Sequence, residues 1–166
     1  MSDHTSHPSS SPMSQDKKKF PKCRHCGTGA QTFRYLKSIY LFDIDRAREM
    51  IMDGREAIEL EPDDVKYSIN DCRIYSEHLD HVETKYPGII AYYWYPLPDG
   101  TVIQGTLLID GHHRAARCER DGLPFFVQIL TEDESMDIML KSPDIEKILA
   151  DLRSQQSASS ELVTAI

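Results

Sequence analysis

The chain has 166 residues, of which 40% are hydrophobic and 28% charged, and its formal charge is −8. That length and apolar content suit one core with tails, while the acidic balance argues against broad nonspecific DNA binding, which rests on counterion release at many Lys and Arg contacts. No run of about 18 apolar residues occurs, so no membrane-spanning helix is expected.

Residues 1–35 are read as a disordered arm, residues 36–153 as the folded domain and residues 154–166 as a flexible tail. Met1 to Gln15 is rich in Ser, His and Pro and lacks the apolar centre of a secretory signal. Asp16-Lys17-Lys18-Lys19 adds charge and nothing to bury, so ordering entropy is not offset there. Within the arm, Cys23-Arg24-His25-Cys26-Gly27 has the form of half a zinc knuckle, because a tight turn aims two sulfurs at one ion. A closed Zn²⁺ site needs four ligands, so Cys72, Cys118, an arm histidine or a second chain would have to complete it. A redox pair is the other reading of Cys23 and Cys26. The sparse cysteines and the absent signal point to a cytoplasmic protein with reduced thiols.

Ile39 to Phe42 reads as a short strand or a lead-in to a helix. Asp43 then fits an N-cap, and Ile44, Ala47 and Met50/Ile51 recur at helical spacing until Gly54. Ala57 to Glu61 alternates apolar and acidic residues, as a half-buried strand does, with Pro62 as its stop. A single helix is expected from Ser68 or Asn70 to Tyr86, with Tyr75, Leu79, Val82 and Tyr86 on one face and His78 and His81 on the surface. Ile89–Tyr95 and Thr101–Ile109 read as a hairpin around Pro96–Gly100, with Gly105 as a candidate bulge. A helix then runs from His112 to about Arg120, and Phe125 to Leu130 forms a buried strand. Thr131 and Glu134 make a capping box that starts a helix through Met136, Met139 and Leu140. Beyond Ser142-Pro143, Ile145, Ile148, Leu149 and Leu152 form a further apolar stripe.

The most conspicuous stretch is Asp110-Gly111-His112-His113-Arg114-Ala115-Ala116. A strand, a tight turn and a helix start in succession leave backbone N–H groups facing one spot, and the helix dipole adds positive potential. Gly111 allows close backbone approach, and Arg114 offers a fork that matches phosphate oxygens. On this reading Gly111, His112, His113 and Arg114 bind a phosphate group. His112 or Asp110 serves as general base, since imidazole titrates near neutrality and a carboxylate can take a hydroxyl proton. Glu59, Glu61, Asp63 and Asp64 are further candidates for a base or a Mg²⁺ ligand, Glu61 among them for catalysis.

This hairpin, the Asp-Gly-His-His-Arg-Ala-Ala turn and helix, and the strand after Gly122-Leu123-Pro124 resemble the ParB/sulfiredoxin superfamily. The Asp-Gly-His-His-Arg form is similar to ParB-like proteins labelled as nucleases and to ParB-like free-serine kinases. The resemblance covers roughly residues 56–131 and implies an α+β fold, a small mixed sheet flanked by helices. It also implies ATP or CTP with Mg²⁺. His112 stands where sulfiredoxins carry their cysteine, so sulfinic-acid reduction is not expected. Too little chain follows Leu130 for the DNA-binding and dimerisation segments of partition proteins, and their later Asn/Glu metal box is missing. The expected function is an ATP- or CTP-dependent phosphotransferase or NTP hydrolase acting on a small-molecule acceptor, with neither DNA nor a membrane expected as a partner. A non-catalytic nucleotide- or anion-binding interaction module and a metal-dependent nuclease are the alternatives.

Overall fold

A computed structural model describes residues 31–70, 72–144, 147 and 150. Cys23, Cys26, the apolar stripe from Ile145 and the tail lie outside the described residues, apart from Lys147 and Ala150. The chain is α+β, with two small sheets and five helices among the described residues.

The first sheet joins β1 (Thr32–Tyr35), β2 (Tyr40–Asp43) and β7 (Met139–Lys141), all antiparallel. β1 corrects the arm boundary: Thr32 to Tyr35 is paired strand. Asp43 is the N-cap expected of it, its carboxylate accepting from the Arg46 N–H at 3.0 Å, and α1 (Ile44–Met50) runs into a 3₁₀ turn that ends at Gly54.

The second sheet has the order β3-β6-β4-β5, from β3 (Ile58–Glu59), β4 (Gly88–Pro96), β5 (Val102–Asp110) and β6 (Phe126–Ile129). It is mixed: β4 runs parallel to β6, and the β4/β5 and β3/β6 pairs are antiparallel. Because strand side chains alternate, Ile89 and Ala91 face one core with Tyr40, Phe42 and Ile138, while Ile90 faces a second with Val65, Ala115 and Val127. The sheet is therefore covered on both faces, by the first sheet and α1 on one side and by the helices on the other. Gly105 is not a bulge; it pairs in register with Tyr93, whose ring lies across it. The extra residue is Ile109, between Leu108 paired to Ile90 and Asp110 paired to Ile89. A bulge there re-aims the strand end just before the turn.

The long helix expected up to Tyr86 is two short ones, α2 (Pro62–Asn70) and α3 (Ser76–Leu79). Pro62 starts a helix rather than only stopping a strand, since the first helical turn needs no N–H from it. After α3, the Arg117 guanidinium donates to the carbonyls of Asp80 at 2.9 Å and Val82 at 2.8 Å, which substitutes for helical partners and lays the segment on α4 (His112–Asp121). The Thr131–Glu134 capping box opens α5 (Glu132–Asp137), but Met139 and Leu140 leave the helix to form β7.

Candidate functional site

α4 starts where expected, with Gly111 at its N-cap in a left-handed conformation (φ 104°) and no side-chain cap. The turn is not the open cradle its sequence suggests. A Cβ on Gly111 would lie 3.0 Å from Gly88 Cα and 3.1 Å from Arg114 Nη2, so the space before the helix is filled by backbone and by the helix's own arginine.

Asp110 sits at the centre of that packing. Its carboxylate accepts from Arg48 Nε at 2.8 Å and Arg48 Nη2 at 2.9 Å, and from Arg114 Nη2 at 3.2 Å. Arg114 Nη2 also donates to the Pro87 carbonyl at 3.1 Å, Arg48 Nη1 donates to Gln31, and Arg114 Nε is buried without a partner. Burial alone would raise the Asp110 pKa, but the Arg114 and Arg48 guanidinium groups outweigh it and hold the carboxyl below its ordinary value. An ionised carboxylate with three donors is a poor proton acceptor. Asp110 is thus an internal counterion rather than a base, and Arg114 is committed to it rather than presented to a phosphate.

The adjacent histidines face different surroundings. Consecutive helical residues point about 100° apart. His112 stacks on Phe33 of β1, ring centroids 4.9 Å apart and planes at 16°, and lines a cleft. Burial pushes its pKa down to about 4, against the opposing pull of Asp110. His113 turns instead to α3: its Nε2 accepts from the Tyr75 N–H at 3.2 Å, and its ring lies against Tyr75 and His78. Burial, then the neighbouring His78, lowers its pKa too. His78, expected as free surface, is half-buried in this ring cluster. The two imidazoles therefore belong to different surroundings, one in the cleft against Phe33 and one in the ring cluster of α3.

The cleft beside His112 has a volume of about 820 Å³, within the range of small-molecule sites. The second sheet lines it from both faces, with Ile90 and Val127 from one and Tyr93 from the other. One wall is β1 with its turn, bringing Phe33, Arg34 and Lys37; the other is β3 with α2, bringing Glu59, Glu61, Asp64 and Tyr67. Arg34 and Lys37 form no ion pair among the described residues. Lys37 is held by unusual backbone: Leu36, Lys37 and Ser38 have φ of 47°, 51° and 68°, three successive left-handed residues without a glycine, a conformation that costs roughly 1–2 kcal/mol per residue and concentrates at ligand sites.

Of the residues picked from sequence, the cleft brings together His112, Glu61, Glu59, Asp64 and Cys72; Asp110, Gly111, His113, Arg114, Asp63 and Cys118 do not line it. No group of three or more His, Cys, Asp or Glu among the described residues is placed to hold a metal ion. Phe33, Arg34, Lys37, Tyr67 and Arg73 were missed. For Phe33 and Arg34 a signal existed: Thr32-Phe33-Arg34-Tyr35 alternates polar and aromatic residues as a strand does.

No protein-family model, no curated protein and no solved structure matches the chain.

Proposed function

We propose that the chain is a ParB/sulfiredoxin-like domain that binds a nucleotide in this cleft and transfers or hydrolyses its terminal phosphoryl group. The observation that carries the reading is the charge layout: Arg34 and Lys37 on one side of the cleft and Glu59, Glu61 and Asp64 on the other, none of them in an ion pair among the described residues. Phosphoryl transfer needs positioning and charge neutralisation more than covalent help. Cationic side chains serve the phosphates, and one or two of the carboxylates suit Mg²⁺, which binds few protein oxygens and takes the rest from water and phosphate. When bound, Mg²⁺ supplies further neutralisation of the phosphate charge.

Elimination then favours Glu61 as proton acceptor. Asp110 is engaged by two arginines, and neutral His112 with a pKa of about 4 is a weak base at pH 7. Glu61 is exposed at the head of α2 and free to take the proton of an acceptor hydroxyl or water. The phosphate contacts move accordingly from the Gly111–Arg114 turn to Arg34 and Lys37, with His112 as a neutral hydrogen-bonding group beside them.

A second reading, a binding module without turnover, is favoured by one observation: Arg114, the side chain suited to clamp a transition-state phosphate, is committed to Asp110. Calorimetric titration with ATP, CTP and a non-hydrolysable analogue in Mg²⁺, alongside a phosphate-release assay, tests both. Phosphotransfer requires that Glu61→Gln keep binding and lose turnover, and that Lys37→Ala lose binding. Saturable binding with no phosphate released or transferred selects the module. No binding of any nucleotide up to millimolar concentration removes both.

A further inference from the structure

We propose that Tyr67 stacks on the base of the nucleotide, so that the cleft reads a nucleobase and not a polyphosphate alone; this rests on the nucleotide-binding reading above. The aromatic side chains of the cleft are not equivalent. Phe33 is stacked on His112, and Tyr93 meets Tyr35 edge-on at 5.2 Å, so those rings are already occupied by protein. Tyr67 has no ring contact or hydrogen bond with any described residue and is 77% exposed, yet it belongs to the cleft wall formed by α2. Ile58, 47% exposed, adds apolar surface to the same cleft. An exposed ring costs little when solitary, but one on the wall of a cleft offers a flat apolar face to a planar ligand.

Charge decides which end of the ligand goes there. Asp64 lies one helical turn before Tyr67, and Glu61 lies at the start of the same helix. The phosphates are drawn to Arg34 and Lys37 and, through Mg²⁺, to the head of α2 where Glu61 stands. Tyr67 lies six residues further along the chain, about 9 Å along the helix axis. The uncharged base is the part of a nucleotide that this end of the wall tolerates, and stacking on Tyr67 is what it gains there.

The test compares wild type, Tyr67→Ala, Tyr67→Phe and Lys37→Ala in titrations with ATP, CTP and inorganic tripolyphosphate, all with Mg²⁺. Base stacking of this kind amounts to about 5- to 150-fold in affinity. Tyr67→Ala should lose nucleotide affinity within that range, Tyr67→Phe should retain it, and tripolyphosphate should bind all three proteins alike. Lys37→Ala should weaken nucleotide and tripolyphosphate together. Because Tyr67 is exposed and has no ring contact or hydrogen bond among the described residues, its variants should melt with the wild type. Nucleotide binding that ignores Tyr67→Ala, or wild-type protein that binds tripolyphosphate as tightly as ATP, overturns the inference while leaving an anion-binding cleft. Failure of every probe to bind overturns the nucleotide reading itself, and this inference with it.

Discussion

Asp110→Asn separates a base from a counterion. In the folded chain the Asp110 carboxylate takes two bonds from Arg48 and one from Arg114, with the three side chains only 12–14% exposed. The amide keeps one oxygen, so it accepts from only part of this donor set, and its NH₂ faces guanidinium N–H groups. It also leaves two guanidinium cations close together with no anion between them. Removing one partner of a buried ion pair costs about 3–5 kcal/mol; the residual exposure here places the loss near the lower end, about 3 kcal/mol. With a urea m value of about 2 kcal/mol/M, the midpoint falls by roughly 1.5 M. Urea unfolding followed by the fluorescence of buried Trp94 measures it. Adding Arg48→Met to Asp110→Asn removes one orphaned cation and should recover part of the loss, giving a coupling of about 1–2 kcal/mol. An Asp110→Asn protein that unfolds at the wild-type midpoint yet loses turnover would refute the counterion assignment and restore the carboxylate as a base.

Gly111→Ala should cost roughly 2–4 kcal/mol, from the positive φ and from forcing a Cβ against Gly88 Cα; a melting curve unchanged from wild type would contradict the described turn. His112 carries a pH signature. Its folded pKa of about 4 lies below its ordinary value of 6.5, so between those values the unfolded chain binds the extra proton. Above pH 6.5 both states carry a neutral imidazole and nothing is lost; as pH falls from 6.5 toward 4 the folded chain loses stability, up to about 3 kcal/mol. Denaturant titrations from pH 7 to 4 should show this decline in the wild type and a shallower one in His112→Phe; parallel slopes would mean that the imidazole is solvated.

Much of the fold was legible because its signals are local. Asp43 and Thr131 accept from the N–H three residues on, and each N-cap can be read from its own side chain and the helical turn beside it. The β4/β5 hairpin is legible from two β-rich runs around Pro96–Gly100. What failed depended on long-range partners. Tyr75, Leu79, Val82 and Tyr86 have helical spacing, but Arg117, far along the chain, takes the carbonyls of Asp80 and Val82. Met139 continues the α5 periodicity and pairs with Phe42 instead. Pro62 serves equally to end a strand and to begin a helix, and only the packing of Val65 against the α4 side of the sheet decides between them.

The site was half legible, and helix geometry explains which half. Asp110-Gly111-His112-His113-Arg114 is compact in sequence, so it invites a reading in which all its polar groups serve one ligand. Asp110 ends β5, however, and Arg114 in the first turn of α4 reaches back across the left-handed Gly111 to pair with it. His112 and His113 diverge, one into the cleft against Phe33 and the other into the ring cluster of α3. A single motif thus supplies three separate things: a charge knot that fixes the strand–helix junction, one imidazole for the cleft, and one for helix–helix packing. The remaining groups of a polar cleft must then come from elsewhere in the chain. They come from β1 and α2, whose residues carry no motif at all and which cover opposite faces of the second sheet, so only the fold brings them to one cleft with His112.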